Sequence, residues 1–97
     1  MVVLSKAPLR EFIYENPYSG EALMKWYADV KAADWKNFNE VKKTFNTCDY
    51  VGNDRYVFDI MGNRYRMVAL IIFRKRTVFV LFIGTHKEYD AIVVAQV

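Results

Sequence analysis

Residues that build covalent or metal-based sites are scarce in this sequence. Among its 97 residues there are one cysteine, Cys48, and one histidine, His86. A single cysteine excludes an internal disulfide framework, and a single histidine excludes a metal site that needs several histidine ligands. The four glycines are scattered, so a glycine-rich phosphate-binding loop is absent. We expect Cys48 to be reduced, buried and structural rather than reactive.

Long apolar runs are absent as well. The longest comprises residues 67–73, far short of the roughly 20 residues that span a bilayer. The first residues, MVVLSKAPLREF, lack the charged start, apolar stretch and cleavage site of a signal peptide. We therefore expect a cytoplasmic protein with no membrane contact. Residues 1–97 are expected to form a single domain, because a chain of this size supports one hydrophobic core.

The first half of the chain has the apolar spacing of helices, in which side chains three and four residues apart share one face. Asn16 and Pro17 are expected to end the first helix, and Ser19 and Gly20 precede the second. Residues 37–40 match the N-x-x-E capping box, which predicts a short third helix. The apolar positions of the three helices are Leu9, Phe12 and Ile13, then Leu23, Trp26, Tyr27 and Val30, then Phe38, Val41 and Phe45.

The second half changes to the alternation of strands. Residues 55–60 alternate between apolar and polar or smaller side chains, as in a strand with one buried face. Gly62 and Asn63 are a two-residue hairpin signal. The apolar runs 65–73 and 78–83 predict central strands, with turns at residues 52–54 and 74–76. Residues 85–88 match a T-x-x-E capping box, so a last helix is expected with Tyr89, Ile92 and Val93 on one face.

This order of elements predicts an α+β domain. The N-terminal helices are expected to pack on one face of a small twisted antiparallel sheet, with a short helix at the C-terminus. The other face of the sheet is then partly open. An aromatic content of 16% agrees with a sheet-containing core.

The formal net charge is only +3, yet five of the six arginines lie between residues 55 and 76, where the local balance is +5. Arginine binds phosphate through two parallel hydrogen bonds. The interleaved Tyr56, Tyr65 and Phe73 offer rings on which bases stack. The alternative is that these are ordinary solvated charges of strands and turns. The cations of this basic window are Arg55, Arg64, Arg66, Arg74, Lys75 and Arg76.

Two interpretations of Arg66 stay open. A two-residue turn at Gly62 and Asn63 places Asp59 directly opposite Arg66, so the pair can be a cross-strand ion pair worth roughly 0.2–1 kcal/mol. A paired arginine on an open sheet face can equally be a clamp for a substrate phosphate. In both interpretations Arg66 points to the face away from the helices.

His86 is the side chain best suited to proton transfer near neutral pH. A lone histidine is more often structural, but the predicted capping box places His86 in a first helical turn, where N–H groups favour anions. Lys87 is a cation at the unfavourable end of that helix dipole, and a residue that breaks a local rule suggests function. Tyr89 can pack inward or present its hydroxyl beside His86, and the sequence leaves both open.

Phosphate transfer by basic groups without a metal ion is the chemistry that these residues favour. No serine–histidine–acid nucleophile is visible, and one histidine with dispersed acids gives little support to metal-centred hydrolysis. On RNA, the ribose 2′-OH would attack the adjacent phosphate while a base takes its proton, cations stabilise the charge and an acid protonates the leaving oxygen. The alternative from another functional class is a non-catalytic RNA- or ribosome-binding module.

Two segments carry a resemblance to a known family. Residues 62–69, GNRYRMVA, are followed after an apolar strand by residues 82–90, FIGTHKEYD. The pattern G-N-x-x-R-x-V-A, then a strand, then T-H-K-E-Y-D resembles the HigB-type toxins of bacterial toxin–antitoxin systems, which belong to the RelE superfamily of ribosome-dependent mRNA interferases. The likeness is clear over residues 55–92, and the helical half is similar in layout.

The resemblance implies an enzyme that cuts mRNA in the decoding site of the ribosome, with no metal or other cofactor, and so inhibits translation. It also implies a HigA-like antitoxin with a helix-turn-helix domain, through which alone the complex would contact operator DNA. The expected products carry a 2′,3′-cyclic phosphate. A gyrase-poisoning toxin on the same scaffold is a further alternative.

The resemblance also assigns roles to residues that match its motifs. Arg66 would stabilise the scissile phosphate and His86 would transfer the proton, with Lys87 and Tyr89 assisting. Many relatives carry a basic residue where this sequence has Leu81, so either Arg74 or Arg76 replaces it or the catalytic set is smaller. The residues expected to contact RNA are Arg55, Asn63, Arg64, Arg74, Lys75 and Arg76.

Overall fold

The structure is a computed structural model that describes residues 1–4 and 6–97. Three helices precede most of the sheet, and a short helix follows it, as the α+β prediction requires. The helices are α1 (Lys6–Glu15), α2 (Gly20–Ala32), α3 (Phe38–Thr44) and α4 (His86–Asp90). The strands are β1 (Val2–Leu4), β2 (Asp49–Tyr50), β3 (Arg55–Ile60), β4 (Tyr65–Ile72) and β5 (Thr77–Thr85).

The predicted end of α1 and the predicted starts of α2 and α3 are confirmed, whereas Phe45, expected inside α3, is the residue that follows its last turn. Helix α1 ends before Asn16 and Pro17, and a single 3₁₀ turn, Pro17–Ser19, leads into α2. At α3 the Asn37 side chain accepts from the Glu40 N–H at 3.1 Å. The Glu40 carboxylate accepts from the Lys36 N–H instead of the Asn37 N–H. The capping box of α3 is therefore only half formed.

The sheet has the strand order β1-β5-β4-β3-β2. Strands β2 to β5 pair antiparallel, as predicted, but β1 pairs with β5 in parallel and makes the sheet mixed. This strand is three residues long, too short for a pattern of alternation in the sequence to predict it. Strands β4 and β5 lie inside the sheet, where their long apolar runs are expected.

The core fills the space between the helices and one face of the sheet. Each of the first three helices places one aromatic ring against a ring on this inner face. The first two pairs below are edge-to-face and the third is tilted, and aromatic pairs stabilise a core by roughly 0.5–1.5 kcal/mol beyond burial of their area. The pairs are Phe12 with Tyr65, Trp26 with Phe58, and Phe38 with Tyr56.

Cys48 is fully buried in this core, as expected for a structural cysteine. Burial raises the pKa of its thiol to about 12, since a thiolate would lose its hydration, and the nearby Asp49 carboxylate adds to the effect. The thiolate is the reactive form of cysteine. The folded protein therefore keeps Cys48 unreactive at neutral pH.

The outer face of the sheet is less open than predicted. Val57 and Val68 point away from the helices, yet both are buried.

The expected last helix ends at Asp90, so Ile92 and Val93 lie outside it. The β-branched run at residues 92–94 disfavours further helix, and the chain instead forms the 3₁₀ turn Val94–Gln96. Val97, at the end of this segment, reaches the outer face of the sheet, where its backbone oxygen accepts a hydrogen bond from Arg55.

Among the helices that the structure describes, none is long and apolar enough to cross a membrane.

Candidate functional site

One end of the sheet brings the two sequence motifs together. The β3–β4 turn at residues 61–64 lies beside the start of α4, because Tyr65 in β4 pairs with Thr85 in β5. The predicted hairpin register, with Asp59 opposite Arg66, is confirmed. The left-handed residues of the turn are Met61 and Gly62 rather than Gly62 and Asn63, which leaves the register unchanged. We call this end of the sheet, with residues 61–64 and α4, the motif end.

Arg66 is the central side chain of the motif end. Its Nε lies 3.4 Å from Asp59 Oδ1, and both side chains are about one-quarter exposed, at 25% and 27%. Its guanidinium carbon lies 5.1 Å from the centre of the Tyr89 ring, so the cation also stacks on an aromatic face. The predicted cross-strand ion pair is therefore present. Arg66 Nε is buried and makes no hydrogen bond with the residues that the structure describes.

Gly84 explains how α4 comes close to Arg66. It pairs with Arg66 across β4 and β5 and is itself buried. A Cβ atom built on Gly84 would lie 2.6 Å from the Phe82 ring and 3.1 Å from Glu88 Cβ. The first contact is too short to form without rearrangement, and the second is tighter than most real contacts, so the missing side chain lets α4 fold back closely over the outer face of β5.

The capping box predicted at residues 85–88 is complete. Thr85 Oγ1 accepts from the Glu88 N–H at 3.1 Å, and Glu88 Oε1 accepts from the Thr85 N–H at 2.8 Å. These two bonds fix the direction in which the chain leaves β5. They place His86 and Lys87 in the first turn of α4, with both side chains exposed.

His86 lies next to a carboxylate that sequence reasoning gave no role. Asp90 Oδ2 lies 3.1 Å from His86 Nδ1, and the His86 side chain is 46% exposed. A carboxylate at this position favours a proton on Nδ1, so the lone pair of a neutral imidazole resides on Nε2. The signal in the sequence was the spacing of four residues, which puts both side chains on one face of a helix.

Tyr89 faces Arg66 rather than the protein core. The sequence left open whether Tyr89 packs inward or presents its hydroxyl beside His86. In the structure its ring is half-buried against the guanidinium of Arg66. Arg66 and Tyr89 are therefore in direct contact. His86 and Lys87 lie on the same short helix as Tyr89.

The basic window does not form one surface. The turn at residues 73–76 lies at the opposite end of β4, whose eight residues span roughly 23 Å. Arg55 is at that far end too, opposite Leu70, and its guanidinium donates to the backbone oxygens of Asn53 and Val97. The predicted RNA-contacting residues are thus divided between two ends of the sheet.

Arg76 already has a partner on the helix side of the molecule. Its Nε donates to Asp34 Oδ1 at 2.7 Å, and this bond lowers the pKa of Asp34. Arg74 and Lys75 are exposed in the same turn. With roughly 23 Å between this turn and the motif end, neither Arg74 nor Arg76 lies beside Arg66.

Leu81 lies at an irregularity of β5. The pairing between β4 and β5 shifts between Val68 and Ala69, so Leu81 has no partner in β4. It is half-buried and borders a cleft of about 290 Å³ between α1 and β5. The geometry agrees with a smaller catalytic set better than with a replacement by Arg74 or Arg76.

Positive and negative charges are balanced at the motif end. This end carries three cations, Arg64, Arg66 and Lys87, and an equal number of carboxylates. The concentrated positive charge of the sequence is therefore not concentrated around His86. The carboxylates are Asp59, Glu88 and Asp90. Within residues 1–4 and 6–97, no group of three or more His, Cys, Asp or Glu side chains is placed to hold a metal ion.

Comparison with known proteins places this arrangement in a family. The family model of HigB_toxin, described as the RelE-like toxic component of a toxin–antitoxin system, matches residues 19–92. The match covers well over half of the chain and includes both motifs of the motif end.

The chain belongs to the HigB toxin family.

Named relatives of this HigB-family chain match over nearly its whole length. The mRNA interferase HigB of Escherichia coli O6:H1 strain CFT073 is 35% identical over 92 residues, which cover 93% of this chain and 89% of the relative. The mRNA interferase toxin HigB of Escherichia coli K12 is 26% identical over 93 residues, covering 93% and 88%. The mRNA interferase HigB of Shigella flexneri has the same identity and coverage. The resemblance drawn from the motifs is thus confirmed. A HigB family member is the toxic half of a pair, so the assignment implies an antitoxin partner.

Proposed function

We propose that this HigB-family toxin is a cytoplasmic, ribosome-dependent endoribonuclease that cleaves mRNA during translation without a metal ion. The observation that carries the proposal is the meeting of Arg66, Tyr89 and the His86–Asp90 pair at the motif end. The relatives that are named mRNA interferases support the choice of substrate.

The proposed reaction uses the 2′-OH of the substrate as nucleophile. The 2′ oxygen forms a bond to the adjacent phosphorus, the bond from phosphorus to the 5′ oxygen breaks, and the products are a 2′,3′-cyclic phosphate and a 5′-OH. The reaction needs two proton transfers, one from the 2′-OH and one to the leaving 5′ oxygen. His86 Nε2 carries out one of these two transfers. Asp90 holds the imidazole in the orientation that leaves Nε2 free.

Arg66 stabilises the extra negative charge on the phosphate in the transition state. Its partial burial supports this role, since a charge–charge interaction strengthens when water is excluded. The ring of Tyr89 limits the positions of the guanidinium, and exposed Lys87 lies one residue from His86. We assign contacts with the RNA backbone to Asn63 and Arg64, which are exposed on the adjacent turn.

We infer that ribosomal RNA around the decoding site supplies much of the substrate positioning. The balanced charge at the motif end supports this inference, because an independent nuclease would need a stronger positive surface to hold RNA by itself.

The proposal is tested by expression in a bacterial host and by single-turnover cleavage of mRNA bound to purified ribosomes. The wild type should arrest growth and leave cyclic-phosphate ends in translated messages. Arg66→Ala should lower the cleavage rate by about 10²–10³-fold and His86→Ala by about 10²–10⁴-fold. Arg10→Ala is the matched control, since Arg10 lies on α1 and should leave the rate unchanged.

Other outcomes identify the alternatives. Salt-sensitive RNA binding with no cyclic-phosphate product would show a non-catalytic binding module. Double-strand DNA breaks with intact mRNA would show a gyrase poison. Full activity of the Arg66→Ala and His86→Ala double variant would exclude the mechanism proposed here.

A further inference from the structure

The surface of the helix layer carries a groove that the catalytic proposal does not use. It lies between α1 and α2 and has a volume of about 340 Å³. The two helices approach closely where Ile13 meets Gly20, since a Cβ atom added to Gly20 would lie 3.3 Å from Ile13 Cγ2, and the groove lies beside this contact. Its lining residues are Lys6, Leu9, Arg10, Ile13, Met24 and Tyr27.

The floor of the groove is apolar, and its exposed part is Met24 of α2, whose exposed fraction is 54%. On the α1 side, Leu9 is buried and Ile13 is half-buried. An unbranched, polarisable methionine adapts to the shape of a partner. The volume corresponds to on the order of ten water molecules, and their release from an apolar surface favours association.

The rim of the groove is positively charged. The Nζ atoms of Lys6 and Lys31 lie 5.4 and 5.8 Å from the centre of the Tyr27 ring. Arg10 adds a third cation, and no acidic side chain is among the described residues that line the groove. A hydrogen bond from Lys6, together with the charges of Lys31 and Arg10, lowers the pKa of Tyr27, as expected where positive potential is concentrated.

We propose that this groove is the docking site of the antitoxin, through an amphipathic helix that places aliphatic side chains on Met24 and acidic side chains against Lys6, Arg10 and Lys31. Charge complementarity selects the acidic residues, and the apolar floor selects the aliphatic ones. The proposal rests on membership of a toxin–antitoxin family and, for its growth readout only, on the proposed function.

The chemistry of the groove favours a protein segment over RNA. Phosphates would pair with the rim but would leave the aliphatic floor uncovered. The one aromatic ring of the lining, Tyr27, has two ammonium groups close to its ring, so its face is not free for a base. A second copy of this chain would bring equal charges together across a two-fold axis.

The decisive measurement is the affinity of the purified toxin for the antitoxin encoded beside its gene. Met24→Glu should weaken binding about 100-fold, since it places a carboxylate on the apolar floor against an acidic partner. Arg10→Glu should weaken binding about 10-fold through charge reversal on the rim. Lys43→Glu on α3 is the matched control and should bind like the wild type, because Lys43 lies outside the groove. All three positions are exposed, so the fold should be retained, which circular dichroism checks.

Growth provides an independent readout. Met24→Glu should remain toxic and should no longer be neutralised when the antitoxin is co-expressed. Unchanged antitoxin affinity of both groove variants would overturn the proposal. So would a loss of ribosome or oligo(A) binding without loss of antitoxin binding, which would identify an RNA surface, or a dimer that Met24→Glu converts to monomer. If the wild type were not toxic, the proposed function would fail, while the measured affinities would still decide the docking site.

Discussion

At the motif end, the environment of Arg66 is determined by two neighbouring side chains. Arg66 is at once an ion-pair partner of Asp59 and a stacking partner of Tyr89, so its structural and catalytic interpretations do not compete. In the function we propose, the same contacts that hold the guanidinium in one place prepare it for a phosphate. The sequence predicted the Asp59 pair from hairpin register alone. The contact with Tyr89 joins β4 to α4, and sequence spacing does not predict contacts between elements that are not joined by a short turn.

Cys48 gives a prediction for pH dependence. Its thiol has a pKa of about 12 in the folded state and an ordinary value of 9.0 when exposed. Above pH 9 the unfolded chain loses this proton while the folded protein keeps it. The free energy of unfolding therefore falls by about 1.4 kcal/mol per pH unit up to pH 12. Urea unfolding of the wild type and of Cys48→Ala, each at pH 8 and at pH 10.5, measures this fall in the free energy of unfolding.

The Cys48→Ala variant should lack this part of the pH dependence, although its overall stability is lower because the core has a small cavity. The difference between the two proteins therefore isolates the thiol from tyrosines and lysines that titrate in the same range. Equal pH dependence of both proteins would show that the thiol is not held neutral by burial.

The secondary-structure elements differ in how much of their stability is local. Helices α1 to α3 have apolar stripes that pack on the sheet, and their boundaries followed from proline, glycine and capping residues. Helix α4 has only five residues and no fully buried side chain. An isolated helix of this length is unstable in water. Its capping box and its contacts over Gly84 therefore hold it in place.

Thr85→Ala tests the cap. Loss of the bond that Thr85 Oγ1 accepts from the Glu88 N–H should lower the free energy of unfolding by about 1 kcal/mol and increase hydrogen exchange of the Glu88 amide. The reciprocal bond to Glu88 Oε1 is donated by the backbone N–H of residue 85, so alanine keeps it. Thr47→Ala, in an exposed turn, should change stability by less than about 0.5 kcal/mol. If Thr85→Ala left both the exchange and the stability unchanged, the bond to Glu88 Oε1 and the packing over Gly84 would be enough to hold α4.

Across the whole molecule the positive charges are dispersed. Arg74 and Lys75 lie at one end of the sheet, whereas Arg66 and His86 lie at the other, roughly 23 Å away. We therefore assign different duties to the two ends. The far turn adds electrostatic attraction to RNA, while the motif end carries the chemistry.

A double variant separates these duties. Arg74→Gln with Lys75→Gln should weaken binding to ribosome–mRNA complexes and reduce the slope of log affinity against log salt by about 1.4, if each residue contacts one phosphate. Its cleavage rate at saturating ribosome concentration should stay within about twofold of the wild type. Arg66→Lys should show the reverse pattern, with a lower saturating rate and nearly unchanged binding. A lower saturating rate in the double variant would place the far turn in the chemistry.

The amino-acid sequence by itself determined the α+β class, the end of α1, the starts of α2 and α3, the hairpin register, the Thr85 cap and the family. These features depend on neighbours within a few residues or on one turn, where spacing and side-chain type decide the outcome. Only the tertiary structure decided that β1 joins the sheet in parallel, that the last helix ends at Asp90, and that the basic window is divided. The reason is physical: a strand carries its two ends apart by about 3.3 Å per residue, so charges that are close in sequence become distant in space, while Arg66 and Tyr89 become neighbours.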